Sequence, residues 1–157
     1  MTTLPTLFVD ADACPVKDEV YRVAARYGLE VKVVANSFIR TPKALPKGSV
    51  EMVVVADGPD AADDWIATRA TQGDIVITTD IPLADRALKA GAAALSPKGR
   101  PFTTDSIGSA LAQRAVLDHL RGMGEATGGP SAFGPADRSR FLSALDEAVN
   151  RSLRGGR

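Results

Sequence analysis

Short apolar runs rich in β-branched residues alternate with helix-length amphipathic stretches through the first part of the chain, and few folds satisfy that alternation. Strands separated by helices pair in parallel, because a crossover helix carries the chain back to the same end of the sheet. Five strands are expected, over residues 4–10, 29–35, 51–56, 74–79 and, more weakly, 92–95. The third and fourth are nearly continuous apolar runs, the pattern of strands buried on both faces. Helix-end chemistry frames the segments between them. Pro15 stands at the start of the first helix, Val16, Val20, Val23 and Tyr27 follow at helical spacing, and Gly28 offers a left-handed C-terminal residue. A second helix over 61–71 stops before Gly73, and a third over 82–90 opens with Pro82 and closes at Gly91. The expected class is α/β, a mainly parallel sheet flanked by helices.

Helices continue from about residue 103. One is expected over 103–120, capped by Thr104 or Asp105, with Ile107, Leu111, Ala115 and Leu120 near one face, and another over 136–153, with Phe141, Leu142, Leu145 and Val149 as its buried stripe. Between them 122–136 is rich in Gly, Pro and small residues and reads as a functional or mobile loop. With 157 residues, 45% of them hydrophobic, and no break in composition, a single domain over 1–157 is expected. The 19 Lys and Arg balance 19 Asp and Glu, which argues against a nucleic-acid binder acting through bulk charge and leaves local basic patches as the route. Cys14 is the sole cysteine, so an intrachain disulfide and a four-cysteine zinc site are excluded. A cytoplasmic location without membrane association is expected.

Acid is concentrated unevenly. From Asp57 to Asp85 there are seven aspartates and one basic residue, Arg69. Strand ends explain much of the placement, with Asp10 closing the first strand, Asp12 two residues on, Asp57 after the third and Asp80 after the fourth. Ligands of open parallel sheets bind outside the carboxyl ends of the strands, so these carboxylates are candidates for one crevice. Clustered carboxylates repel, and either their pKa values rise or a hard divalent cation neutralises them. Asp63 and Asp64 add acids from the first turn of the second helix, whereas Asp60 reads as that helix's N-cap. Asp80 is divided between cap and metal ligand, and Asp85 has an ion pair with Lys89 as its plainer reading.

Other residue types are weaker pointers. Cys14 at a helix start with His119 suggests a thiol nucleophile, against which stands the more common small buried hydrophobe and a solvent-facing histidine. Asn36 and Ser37 end the second strand as turn formers or as groups holding a phosphate or a metal-bound water. Arg40, Lys43 and Lys47 in one loop, and Lys98 and Arg100 in another, are candidates for phosphate contacts across from the acids or constitute a solvated basic face.

Together the segments DADACPVK (10–17), VVANS (33–37), DAADDWI (60–66), GDIVITTDIPLA (73–84), SPKGRPFT (96–103), GGPSAF and DRSRF resemble the uncharacterised YaiI/YqxD family of bacterial proteins, in order and over nearly the whole chain. That resemblance implies a PIN-like, NYN-type nuclease fold of three layers. Asp10, Asp63 or Asp64, Asp80 and Asp85 match the acidic positions of such nucleases, which implies a Mg²⁺ or Mn²⁺ site hydrolysing phosphodiesters, RNA foremost. Asp12 has no fixed counterpart there and is an extra ligand or a supporting group. Lys17, Arg40, Lys98 and Arg100 are then expected to engage phosphates. Two rivals remain. FVDADAC also resembles a haloacid-dehalogenase-type phosphohydrolase with Asp10 as nucleophile, Asp12 as acid, Ser37 after the second strand and Asp80 with Asp85 as the late pair, although Ala-Cys-Pro follows Asp12 where a Thr is usual. The other is a non-catalytic RNA- or protein-binding module, its acids capping helices and its 122–136 loop, with Phe133, meeting the partner.

Overall fold

A computed structural model describes residues 4–56, 58, 60–109 and 133–155. In chain order they form β1 (Thr6–Asp10), a 3-10 turn (Ala11–Ala13), α1 (Lys17–Tyr27), β2 (Glu30–Ala35), β3 (Ser49–Val54), α2 (Ala61–Arg69), β4 (Ile75–Ile77), α3 (Ile81–Lys89), β5 (Ala93–Leu95) and α5 (Pro135–Gly155). Residues 104–109 are also helical and are labelled α4 as far as the described residues run. Leu111, Ala115, His119, Leu120 and residues 122–132 of the expected loop lie outside them, as does Asp57.

All five strands are parallel, in the order β3-β2-β1-β4-β5. Side chains alternate between two cores because successive residues of a strand point to opposite faces. Leu7, Val9, Val31, Val33, Ile75 and Ile77 pack beneath α1 and α5 with Val20, Val23, Phe141, Leu145 and Val149. Phe8, Val34, Val76 and Ala94 pack beneath α2 and α3 with Ile66, Leu83, Ala87 and Ile107. The result is the three-layer α/β arrangement that the alternating pattern implies. No helix among the described residues is long and apolar enough to cross a membrane.

The helix ends follow their sequence signals. Gly28, at φ 72°, terminates α1 in the left-handed conformation with its N–H on the Ala24 carbonyl. α1 begins at Lys17 rather than at Pro15, since Pro15 and Val16 lie in the turn that links it to Cys14. One expectation is corrected. The 51–56 run does not form a strand buried on both faces, because β3 is an edge strand paired with β2, and Val54 is 54% exposed. Its apolar residues are partly covered on each side, Val50 and Met52 on one core and Val53 and Val55 on the other.

The strand order fixes where chemistry can sit. From β1 the chain winds outward through β2 to β3, then returns through α2 to β4 on β1's other flank. Between β1 and β4 the winding reverses, and at such a point the loops at the carboxyl ends diverge and leave a crevice.

Candidate active site

Asp10 is the last residue of β1, and it reaches the carboxyl edge on the face covered by α2 and α3, two residues beyond Phe8. Its Oδ2 accepts a hydrogen bond of 2.8 Å from the Thr78 hydroxyl, which in turn accepts one of 2.9 Å from the Asp80 backbone N–H. Asp80 caps α3, its Oδ1 accepting from Leu83 N–H at 2.8 Å. Across from it, Asp63 in the first turn of α2 shares a hydrogen bond with the Asp80 carboxyl. β1, α2 and the β4–α3 turn thus each bring one carboxyl group to the reversal point.

Like charges in a half-buried place resist ionisation. Burial raises the Asp63 pKa first, and Asp80, Asp10, the shared hydrogen bond and Asp60 add to it, to about 7. Asp10 is raised as well, by burial first and by Asp80 and Asp12, against the lowering effect of the Thr78 bond. The set therefore holds a proton where carboxyl groups ordinarily have none. Between about pH 4 and 7 folded Asp63 keeps a proton that the unfolded chain has lost, so this group's contribution to stability falls as pH rises through 7. Asp63→Asn supplies an uncharged donor at every pH. It is expected to raise the thermal midpoint by a few degrees at pH 8 and to change it little at pH 5, where about 1 kcal/mol corresponds to 2–4 °C in a domain of this size. Paired calorimetric scans check it, and an equal shift at both pH values contradicts it.

Thr78 escaped the sequence reading. It is 1% exposed and links Asp10 to the α3 cap, yet in the sequence it is one of two threonines closing an apolar run. Thr78→Val leaves Asp10 without its donor and the Asp80 N–H without its acceptor. A loss of about 1–3 kcal/mol in denaturant unfolding is expected, with Thr78→Ser restoring most of it.

The remaining candidates divide between this edge and other duties. Asp12 is exposed on the 3-10 turn, where its charge acts on Asp10. Asp64 faces away, exposed and paired with Arg86 at 2.7 Å, so of the two adjacent acids Asp63 is the one turned to the cluster. Asp60 occupies the N-cap position of α2 but makes no side-chain capping bond, so its expected capping role is not fulfilled. Asp85 forms the ion pair with Lys89, at 2.8 Å. Lys17 is the first residue of α1, its ammonium donating to the Cys14 carbonyl at 2.8 Å. Asn36 ties the end of β2 to the Gly58 carbonyl at 3.3 Å, while Ser37 and Arg40 are exposed beyond it. Lys47 is not near the acids; its side chain lies over Gly28, which precedes β2 at the opposite edge of the sheet. Lys98 is among the groups that hold Asp137 at the start of α5 low, after the Gly134 N–H, and Arg100 is exposed. Cys14 is buried and burial pushes its thiol up, which favours the buried-hydrophobe reading over a nucleophile.

The donor set is all oxygen, which suits a hard divalent cation. Among the described residues no three His, Cys, Asp or Glu side chains are already arranged to hold a metal ion. The Asp63–Asp80 hydrogen bond occupies oxygens that a cation would need. Binding would accordingly displace the proton that Asp63 keeps up to about pH 7.

The family described as uncharacterized BCR, YaiI/YqxD family, matches residues 8–151. A UPF0178 protein of Caulobacter sp. (strain K31) is 64% identical over 151 residues, covering 96% of this chain and 98% of its own. Similar proteins, also named UPF0178, occur in Sphingopyxis alaskensis, 60% identical over 96% of this chain and 97% of the relative, and in Rhodopseudomonas palustris (strain BisB18), 58% identical over 96% of each. No solved structure matches the chain.

Proposed function

The chain belongs to the YaiI/YqxD family, and from that premise we propose that it is a divalent-metal-dependent nuclease that hydrolyses phosphodiesters in RNA. The supporting observation is the gathering of Asp10, Asp63 and Asp80 at the point where the sheet's winding reverses, where burial and neighbouring acids raise the pKa values of Asp63 and Asp10. Asp10, Asp63 and Asp80 would hold Mg²⁺ or Mn²⁺, with Asp12 beside them. When bound, such an ion supplies Lewis-acid chemistry, polarising a phosphoryl oxygen and neutralising developing charge. The protein's own part is positional. Thr78 fixes the Asp10 carboxylate, the α3 cap fixes Asp80, and Asp63 can take or release a proton at neutral pH. Lys17, at the start of α1, and Arg40, from the connection after β2, meet the phosphates. A single buried cysteine suits a reducing, cytoplasmic setting.

The test incubates the protein with Mn²⁺ and either a labelled single-stranded RNA or a chromogenic phosphomonoester. Metal-dependent cleavage of the RNA, abolished by chelation, supports the nuclease. Turnover of the monoester with phosphate trapped on Asp10 overturns it in favour of a phosphohydrolase. Turnover of neither overturns it in favour of a binding module.

A further inference from the structure

β2 and β3 are parallel, so the chain between them must run back across the face covered by α1, and it does so as a loop over 36–48. Ile39 and Leu45 fasten that loop to the core beneath α1. Phe38, beside Ile39, is left out of that core and is 74% exposed. An aromatic ring left in water at a fixed place forgoes the burial that usually positions such residues. The root of the loop is held by the Asn36 amide on the Gly58 carbonyl, and Pro42 and Pro46 restrict the chain beyond. Ser37 and Arg40, which flank Phe38 in sequence, are exposed as well, and no acid occurs from Val33 to Val50.

The register places this ring near the acids. Asp10 is the partner of Val34 across β1 and β2, so Phe38 is four residues past Asp10's neighbour and emerges from the same edge. Chain geometry keeps it within about 15–20 Å of Asp10, a span that a few nucleotides cover.

We infer that Phe38 is a stacking platform for an unpaired base and, with Arg40, selects single-stranded RNA for the acidic edge between β1 and β4. This rests on the nuclease reading and deepens it by naming the strand state of the substrate. Every base has a π-face, so an exposed phenyl ring with an exposed arginine two residues along recognises single strands without reading sequence. In a duplex the bases are stacked on one another and their faces are closed to the ring. Charge complementarity favours a phosphate chain over an apolar protein partner for this acid-free loop.

Binding is tested without metal, so that it is separate from catalysis. Fluorescence anisotropy in EDTA follows a labelled oligouridylate of about ten nucleotides and an RNA duplex of similar length. The wild type is expected to prefer the single strand. F38A should weaken single-strand binding about 5- to 100-fold and leave duplex binding unchanged, and F38W should retain it. Circular dichroism confirms that each variant is folded. F38A binding as tightly as the wild type, equal affinity for duplex, or no binding by the wild type overturns the inference. So does a wild-type dimer that F38A dissociates in sedimentation velocity, which would make the ring a contact between copies. Cleavage failing while the Phe38-dependent binding persists would reject the nuclease reading alone.

Discussion

Asp10→Asn is expected to lower Mn²⁺-dependent hydrolysis of single-stranded RNA by at least about 100-fold without costing stability. The carboxyl group of Asp10 sits where β1 ends beside β4, and it is the member of the cluster whose place is set by the strand itself. Asparagine keeps the size and one oxygen that can accept from the Thr78 hydroxyl. What it removes is the negative charge. That charge is opposed by burial, by Asp80 and by Asp12, so its loss relieves the folded state at alkaline pH while depriving the proposed cation site of a ligand. Initial rates and thermal midpoints on the same preparations separate the two effects. A variant that melts no lower than the wild type but is at least about 100-fold slower meets the expectation, whereas a rate within tenfold of wild type contradicts it.

Gly99→Ala is expected to destabilise the protein by about 3 kcal/mol, which for a domain of this size lowers the midpoint by roughly 10 °C. Two independent causes add. Gly99 has φ 83°, in the left-handed region, and a Cβ there would stand 2.6 Å from the Arg140 carbonyl carbon and 2.7 Å from the Phe141 nitrogen. Those atoms belong to the backbone of α5 and cannot turn aside as a side chain would. The 96–101 turn after β5 is thereby seated against the helix whose Phe141, Leu145 and Val149 close one core. Gly108, in α4, is the control, since its Cβ would meet nothing within 4 Å among the described residues and alanine favours a helix. Thermal unfolding followed by circular dichroism should show Gly99→Ala far below the wild type and Gly108→Ala level with it or above.

The strands and helices were legible because burial imposes periods of 2 and 3.6 on a sequence. Gly28, Pro82 and the stripe Phe141, Leu145 and Val149 carried their meaning locally. β3 did not. An apolar run reports that a segment seeks cover, and only the strand order decides whether neighbours stand on both sides; here β3 comes last in the order, and Val54 remains in water. Asp63 and Asp64 were equivalent in the sequence, since adjacent helix residues differ by about 100° and the packed face has to be known first. Ala62 and Ile66 are buried, and Asp63 is the acid that meets Asp80 while Asp64 reaches Arg86 in solvent. Thr78 was invisible for another reason, because the group that gives its hydroxyl a purpose is 68 residues away. Gly99 likewise owes its role to a helix far along the chain. Asp10 and Asp80 were legible, because the ends of parallel strands share an edge whatever the order of the sheet.

A calorimetric titration of Mn²⁺ at pH 7, with wild type beside an Asp10→Asn/Asp80→Asn double variant shown to be folded, tests most directly whether the gathered carboxyl groups are a cation site. Binding by the wild type is predicted, with release of the proton that Asp63 holds up to about pH 7, seen as a dependence of the heat on the buffer's ionisation enthalpy. The double variant should not bind. Absence of binding by the wild type, or equal binding by both proteins, would contradict the site and with it the metal-dependent nuclease.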